Sequence, residues 1–399
     1  MSFIGLDIGA SSTRFVSENG RIGVLPNNMV VIPLDQRVDL VPYTNGDDVA
    51  ENLKNALDVT ITKTSGDKSD FFPTRALIGQ LAERYSSNNV RPSVMQNKHK
   101  QQVNYISALT AAAYNKILYN LSDDMYMYVA LPPMEVKSAK DYVGSQFKGT
   151  FEVTFNKLQN TKVTINMVEV SCNEEAFMAL LAFYFEMHGA LREEAKEYAR
   201  GYVLSLDIGA STTDLAVVKD MKYLEKSGQT YKTGGNVARD FVKNDIRAKY
   251  GYEPTDDETE AVMAEGRLQM GNSYVDMTES VNNAKAEFAK SIVRNIQSYF
   301  SIVGIPIQTI RAIVVSGGGS MQSEYVNESG QVIVTSDPIS TFITEELHKV
   351  CSTVDVVAYK KNPRQANAIG LYIKASLEEL KRKAAAEKAN AVEEPKLAI

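Results

Sequence analysis

The chain has 399 residues, enough for two or three domains that each bury a core. Its 44% hydrophobic and 23% charged residues are ordinary for a soluble globular protein, and a formal charge of -6 argues against a surface built to neutralise nucleic-acid phosphates. The two cysteines, Cys172 and Cys351, lack CxxC spacing, and the three histidines (His99, His188, His348) are scattered, so neither a zinc cluster nor a disulfide framework is expected.

In chain order, FIGLDI (3–8) is an apolar run of strand length that stops at Asp-Ile-Gly, and RFV (14–16) resumes after a small-residue turn. YVLSLDI (202–208) and LAVV (215–218) repeat that pattern, so LDIGASST at 6–13 and LDIGASTT at 206–213 mark the starts of two similar halves. The stretch 27–170 fits an inserted subdomain but gives no clear topology. From Asn173, NEEAFMALLAFYFEMHG has helical spacing through Phe177, Leu180, Leu181 and Tyr184. TGGN (233–236) leads into a helix to about Tyr250, EPTDDETE into another helix start, and 281–300 is a third helical stretch. AIVVSGGGS (312–320) is a strand running into glycines, and a helix follows Pro363. The Ala- and charge-rich end reads as a disordered tail over 381–399. MSFIGLDIGA lacks the build of a signal peptide, and AFMALLAFYF (176–185) is too short to span a bilayer; a cytoplasmic protein with no membrane attachment is expected.

A turn of glycine and small residues lets backbone N–H groups approach an anion, and serine and threonine hydroxyls add donors. One such turn reads equally well as a plain β-turn. Two near-identical copies together with VVSGGG point to a phosphate cradle. The carboxylates that open the two turns, Asp7 and Asp207, suit Mg²⁺ bridging to phosphate oxygens, directly or through water. One of Glu174 and Glu175 complements the helix dipole; the other can orient a water for attack on a γ-phosphate. Arg14 closes the first turn and Asp214 the second, fitting phosphate neutralisation and contact with water or metal respectively.

In this order the motifs resemble the actin, Hsp70 and sugar-kinase superfamily: DIGASSTR (7–14), NEEAFMALLAF (173–183), DIGASTTD (207–214), VVSGGGSMQ (314–322) and ANAIGLY (366–372). Within it, the ALPP turn at 130–133, FKGTFEVTFN, TKVTINMVEV and TGGNVARDF (233–241) are similar to the plasmid-segregating actins of the ParM/StbA type. An Hsp70 would continue into a peptide-binding domain where this chain ends.

The resemblance implies an α/β, actin-like fold: two related ribonuclease-H-like domains around an ATP cleft, each with an inserted smaller subdomain. Domain I would comprise 1–200 plus 362–380, with its insertion within about 27–100. Domain II would be 201–361, with its insertion at about 236–300. The first cradle would be Gly9, Ala10, Ser11, Ser12 and Thr13 with Arg14, where actins usually carry lysine. The second would be Gly209, Ala210, Ser211, Thr212 and Thr213. Gly317, Gly318 and Gly319 would lie against α-phosphate and ribose, Gly234 and Gly235 near the ribose, and Asp7 and Asp207 on the Mg²⁺ side. Glu175 would position the hydrolytic water, with Asp214 a second water-side group; Glu265 and Arg267 are candidates for holding adenine.

The implied function is an ATPase whose filaments polymerise with ATP and disassemble after hydrolysis, driving plasmid DNA segregation. A DNA-binding adaptor would join filament ends to a centromere-like site, with no direct DNA contact by this chain. Another bacterial actin-like filament, or a small-molecule kinase of the superfamily, remains an alternative.

Overall fold

The structure, a computed structural model, describes residues 1–86, 97–360 and 362–393. Nine strands of the first half are β1 (Ser2–Ile8), β2 (Ser12–Ser17), β3 (Ile22–Pro26), β4 (Met29–Ile32), β5 (Asp58–Lys63), β6 (Thr74–Ile78), β7 (Asp124–Leu131), β8 (Gly149–Phe155) and β9 (Thr161–Glu174). They form one sheet in the order β3-β2-β1-β7-β9-β8-β5-β6-β4.

The second half contributes β10 (Tyr202–Ile208), β11 (Thr213–Lys219), β12 (Lys222–Tyr223), β13 (Gln229–Tyr231), β14 (Arg267–Met270), β15 (Ser273–Asp276), β16 (Ile310–Ser316), β17 (Ser323–Val326), β18 (Val332–Ser336) and β19 (Asp355–Ala358). Its main sheet runs β12-β11-β10-β16-β19, while β14-β15 and β17-β18 are separate hairpins. The order β3-β2-β1-β7-β9 has the same plan as β12-β11-β10-β16-β19: antiparallel between the first three strands and parallel between the last three. The repeated phrase in the sequence therefore marks a repeated fold. β1 and β10 sit centrally in their sheets, which is why SFIGLDI is buried throughout and YVLSLDI nearly so.

The helices are α1 (Val49–Asn55), α2 (Gln80–Tyr85), α3 (Gln102–Tyr119), α4 (Pro133–Phe147), α5 (Glu175–Tyr184), α6 (Asn236–Tyr250), α7 (Asp256–Glu265), α8 (Thr278–Val303), α9 (Ile339–Leu347) and α10 (Ala366–Glu393). α5 follows the first sheet in sequence but packs on the second, where Ala179, Leu180 and Phe183 share a core with Val203, Val218 and Val314. α10 does the reverse: Leu371 and Ala375 pack on Phe3, Tyr128 and Ala130 of the first sheet. The two helices cross at Gly370, where an added Cβ would overlap the Met178 carbonyl. Only glycine permits that approach.

Several sequence expectations change. The helix expected from Asn173 to Gly189 is α5, shorter at both ends. Asn173 and Glu174 stay in β9 because they pair with Ala130 and Leu131 of β7, and Phe185 turns back to bridge Leu191. Among the described residues of 27–100, the strands β4, β5 and β6 form no separate sheet and extend the first sheet through β8. Likewise α6 and α8, within 236–300, share one core with β10 and β11 through Val242, Ile246, Val281 and Phe288. The tail expected to be disordered from 381 continues as helix to Glu393, because alanine, lysine and glutamate are also strong helix formers; 394–399 lie outside the described residues, as do 87–96 of the polar stretch.

Candidate nucleotide site

The two small-residue turns close identically. Gly9 N–H donates to the Ser12 carbonyl at 2.9 Å, and Gly209 N–H donates to that of Thr212 at 2.9 Å. The hairpin registers set Asp7 opposite Arg14 and Asp207 opposite Asp214. What braces each turn differs. Asn27 spans the first, with Nδ2 donating to the Gly9 carbonyl at 2.6 Å and its own N–H to the Ser11 carbonyl at 2.9 Å. The TGGN stretch spans the second, with N–H groups of Gly235 and Asn236 donating to the carbonyls of Gly209 and Ala210.

Three hydroxyls assigned to the phosphate cradles are committed inside the protein. Thr13 donates to Asn27 Oδ1 at 2.7 Å, Thr213 to the Thr233 carbonyl at 2.6 Å, and Thr212 to Asp214 at 3.3 Å. Burial forces this, since a hydroxyl shielded from water must find a partner nearby. The exposed or half-buried positions left facing out are Gly9, Ala10, Ser11 and Ser12 on one turn and Gly209, Ala210 and Ser211 on the other. Gly234 and Gly235, expected near a ribose, buttress the second turn.

Of the three glycines after β16, Gly317 has φ +87°, and a Cβ on it would lie 2.5 Å from Asp207 Oδ1. The positive φ and the close approach to the Ile208 carbonyl and the Asp207 carboxylate are the reasons for glycine there. Gly319 packs on Ile208, so Gly318 is the member with room on its side-chain face, opposite Arg364.

Four carboxylates are buried around these turns: Asp7, Glu175, Asp207 and Asp214. Asp207 accepts from Asn367 Nδ2 of α10 at 2.7 Å and from Ser316 Oγ at 3.2 Å; burial still pushes its pKa up to about 6, with Asp7 adding to the rise. Asp214 accepts from Thr230 at 2.6 Å, and burial followed by repulsion from Glu175 holds its carboxyl well above the usual range. Glu175, the first residue of α5, is raised for the same leading reason, burial, and is opposed by an ion pair with Lys98 Nζ. Burial alone would lower Lys98; Glu175, Asp7 and Asp214 outweigh it and hold the ammonium above its ordinary value. Glu174 is turned elsewhere, accepting from the Tyr223 hydroxyl. The sequence thus identified all four acids but missed Lys98, Asn367 and Ser316. Asn367 lay inside the quoted ANAIGLY stretch as its lone polar residue; Lys98, in the polar run KHK, carried no signal.

On the glycine-loop side, Arg14 is half-buried; desolvation lowers its pKa, Asp7 and Asp207 oppose that, and Arg364 adds to it. Arg364 pairs with Glu260 at 3.5 Å, Glu260 with Arg239 at 3.4 Å, and the buried Nε of Arg364 has no partner. Arg267 is committed away from this cluster: it lies against the rings of Tyr274 (4.1 Å) and Tyr325 (3.9 Å) and bonds Glu265 at 2.7 Å. No cluster of three or more metal-binding side chains occurs among the described residues. Asp7 and Asp207, close enough to repel, therefore fit an ion such as Mg²⁺ that takes one or two carboxylates and completes its shell with waters and phosphate oxygens. No helix among the described residues is long and apolar enough to cross a membrane.

Duplicated halves, exchanged connecting helices and facing glycine turns define a protein of the actin-like fold. Residues 5–177 match the family model for the actin like proteins N terminal domain, and 205–325 that for the archaeal actin homologue MreB-like, C-terminal. Two actin-like family models thus match the two halves in turn. The actin-like protein Alp7A superposes with a TM-score of 0.73 at 20% identity, over 97% of this chain and 99% of that one. Ta0583, an archaeal actin homolog in complex with ADP, gives 0.63 at 16% over 95% and 100%. A 15-stranded ParM filament from Clostridium botulinum gives 0.62 at 15% over 94% and 99%. No protein of curated function matches the sequence.

Proposed function

We propose that this chain is an ATPase that polymerises into filaments with ATP and disassembles after hydrolysis, and that the filaments segregate plasmid DNA. The observation that carries the reading is that Glu175 and Asp214, both buried, lie close enough to repel one another beside two matched small-residue turns. Ser11, Ser12, Ser211 and the turn backbones would hold the phosphates, and Arg14 would neutralise charge on them. Asp7 and Asp207 would hold Mg²⁺, which supplies charge neutralisation along the phosphates. Arg364 and Glu260, beside Gly318, would bind the nucleoside end.

In hydrolysis, water oxygen bonds to the γ-phosphorus, the bond to the β,γ-bridging oxygen breaks, and ADP and inorganic phosphate leave. Glu175 orients the water and accepts its proton; its raised proton affinity, caused by burial, suits that role. Closure of the halves on the γ-phosphate would set the subunit shape that assembles, and its loss would relax it. The ParM filament and the ADP-bound archaeal homologue are the neighbours that support assembly and nucleotide binding. With a net charge of -6, contact with plasmid DNA is left to a DNA-binding adaptor.

The test is sedimentation and light scattering with Mg-ATP and Mg-ADP, followed by electron microscopy. Filaments with ATP that shorten as phosphate is released are expected. A protein that stays monomeric at tens of micromolar across salts and crowding agents would refute the proposal.

A further inference from the structure

Lys98 is a buried lysine, 3% exposed, carried into the carboxylate cluster by a single turn of 3₁₀ helix, Lys98–Lys100. The turn is fixed by α3 and α4. Asn104 Nδ2 of α3 donates to the Lys98 carbonyl at 3.0 Å, the Tyr105 hydroxyl to the His99 carbonyl at 2.8 Å, and His99 Nδ1 contacts Glu135 of α4 at 2.9 Å. So the backbone is held while the side chain reaches Glu175.

A buried ion pair contributes little net stability, because desolvating both charges offsets their attraction. Lys98 and Glu175 sit, moreover, in the field of Asp7, Asp207 and Asp214, where an incoming triphosphate adds further negative charge. The cation already inside that cluster is Lys98, paired with Glu175.

We infer that Lys98, the ion-pair partner of Glu175, is a γ-phosphate sensor. When ATP enters, Nζ exchanges the Glu175 carboxylate for a γ-phosphate oxygen, and the freed carboxylate takes the hydrolytic water. ADP has no γ-phosphate, so Lys98 stays with Glu175. One residue thereby distinguishes the two nucleotides and withholds the water-binding carboxylate until ATP is present. The inference rests on the ATP reading above and names the residue that reads the nucleotide state.

The test is equilibrium titration of the full chain, at protein concentrations too low for assembly, with Mg²⁺ and either the β,γ-imido analogue of ATP or ADP. Lys98→Ala is expected to weaken the ATP analogue by about tenfold or more, the loss of a hydrogen bond to a charged group, while ADP changes by less than about twofold. Glu175→Gln is expected to tighten the analogue and leave ADP unchanged, because it releases Lys98. Since Lys98→Ala strands a buried carboxylate, the double variant Lys98→Met with Glu175→Gln, which removes both charges, serves as the folded control and should show the same analogue-selective loss relative to Glu175→Gln. Equal weakening of both nucleotides, or no weakening of the analogue, would reduce Lys98 to a structural counter-ion and overturn the inference. If the unaltered protein binds neither nucleotide, the ATP reading falls and this inference with it; if it binds both and Lys98→Ala does not discriminate, only the inference falls.

Discussion

Gly370→Ala tests whether the crossing of α5 and α10 sets the geometry of the site. The new β-carbon would lie more than 1 Å inside the 3.0 Å that β-carbons keep from other atoms, and the atom it meets is the Met178 carbonyl oxygen, which cannot rotate away. The helices must part by about 1 Å. Glu175 lies three residues before Met178 on α5, and Asn367, the partner of Asp207, lies three residues before Gly370 on α10. At 1.5 Å of rise per residue, each is about 4.5 Å from the crossing, so little of the shift can dissipate before it reaches them. A displacement of that size can cost roughly a hundredfold in rate. In stability, overpacking costs about 1–3 kcal/mol, partly offset by the roughly 1 kcal/mol gained when glycine leaves a helix interior. The expected result is a small or moderate fall in urea midpoint with a much larger fall in single-turnover phosphate release. A variant stabilised by about 1 kcal/mol with an unchanged rate, the behaviour of an unconstrained helix glycine, would refute the reasoning.

Glu175→Ala should leave nucleotide binding in place but slow phosphate release by roughly a hundredfold or more, giving filaments that persist by light scattering; an unchanged release rate would remove Glu175 from the water. Thr255→Ala, which removes the hydroxyl of the Thr255–Glu258 capping box, should cost about 1 kcal/mol in urea unfolding, from loss of the α7 N-cap. Lys285 donates from inside the second half to the Met321 and Asp337 carbonyls and to Ser323, and burial lowers its pKa to about 8. Between pH 8 and its ordinary 10.5 the unfolded chain holds a proton that the folded one lacks, so stability rises with pH over that window. Relative to Lys285→Met, the unaltered protein should therefore gain stability from pH 8 to 10 in urea titrations; a constant difference would show that the ammonium is not desolvated.

Features decided by neighbouring residues were legible in the sequence. LDIGASST and LDIGASTT specify hairpins because apolar strand residues meet a turn that needs small side chains, and Thr255 with Glu258 caps a helix within four residues. The four carboxylates were legible for the same reason, each being part of such a motif. What was not legible depends on distant partners. Asn173 and Glu174 have helical spacing, yet β7 holds them in a strand. The phosphate-turn threonines look like donors to a ligand, but Asn27 and the Thr233 carbonyl claim two of them. Nothing local distinguishes Lys98 from its neighbour Lys100, which is exposed; only the fold decides which lysine enters the cluster.

The two halves share a sheet plan, a turn closure and a buried aspartate at the end of the central strand, yet they differ at the position paired with that aspartate. Arg14 faces Asp7, and Asp214 faces Asp207. If both were arginine, the site would hold phosphate charge but lose the second acid beside Glu175. If both were aspartate, the buried cluster would gain a fifth carboxylate with Lys98 as its main counter-charge, and burial already raises Asp207 and Asp214. A triphosphate is itself unsymmetrical: one end needs charge neutralised and the other needs a water oriented. Duplication supplies two jaws, and the difference between Arg14 and Asp214 lets each act on a different part of the same ligand.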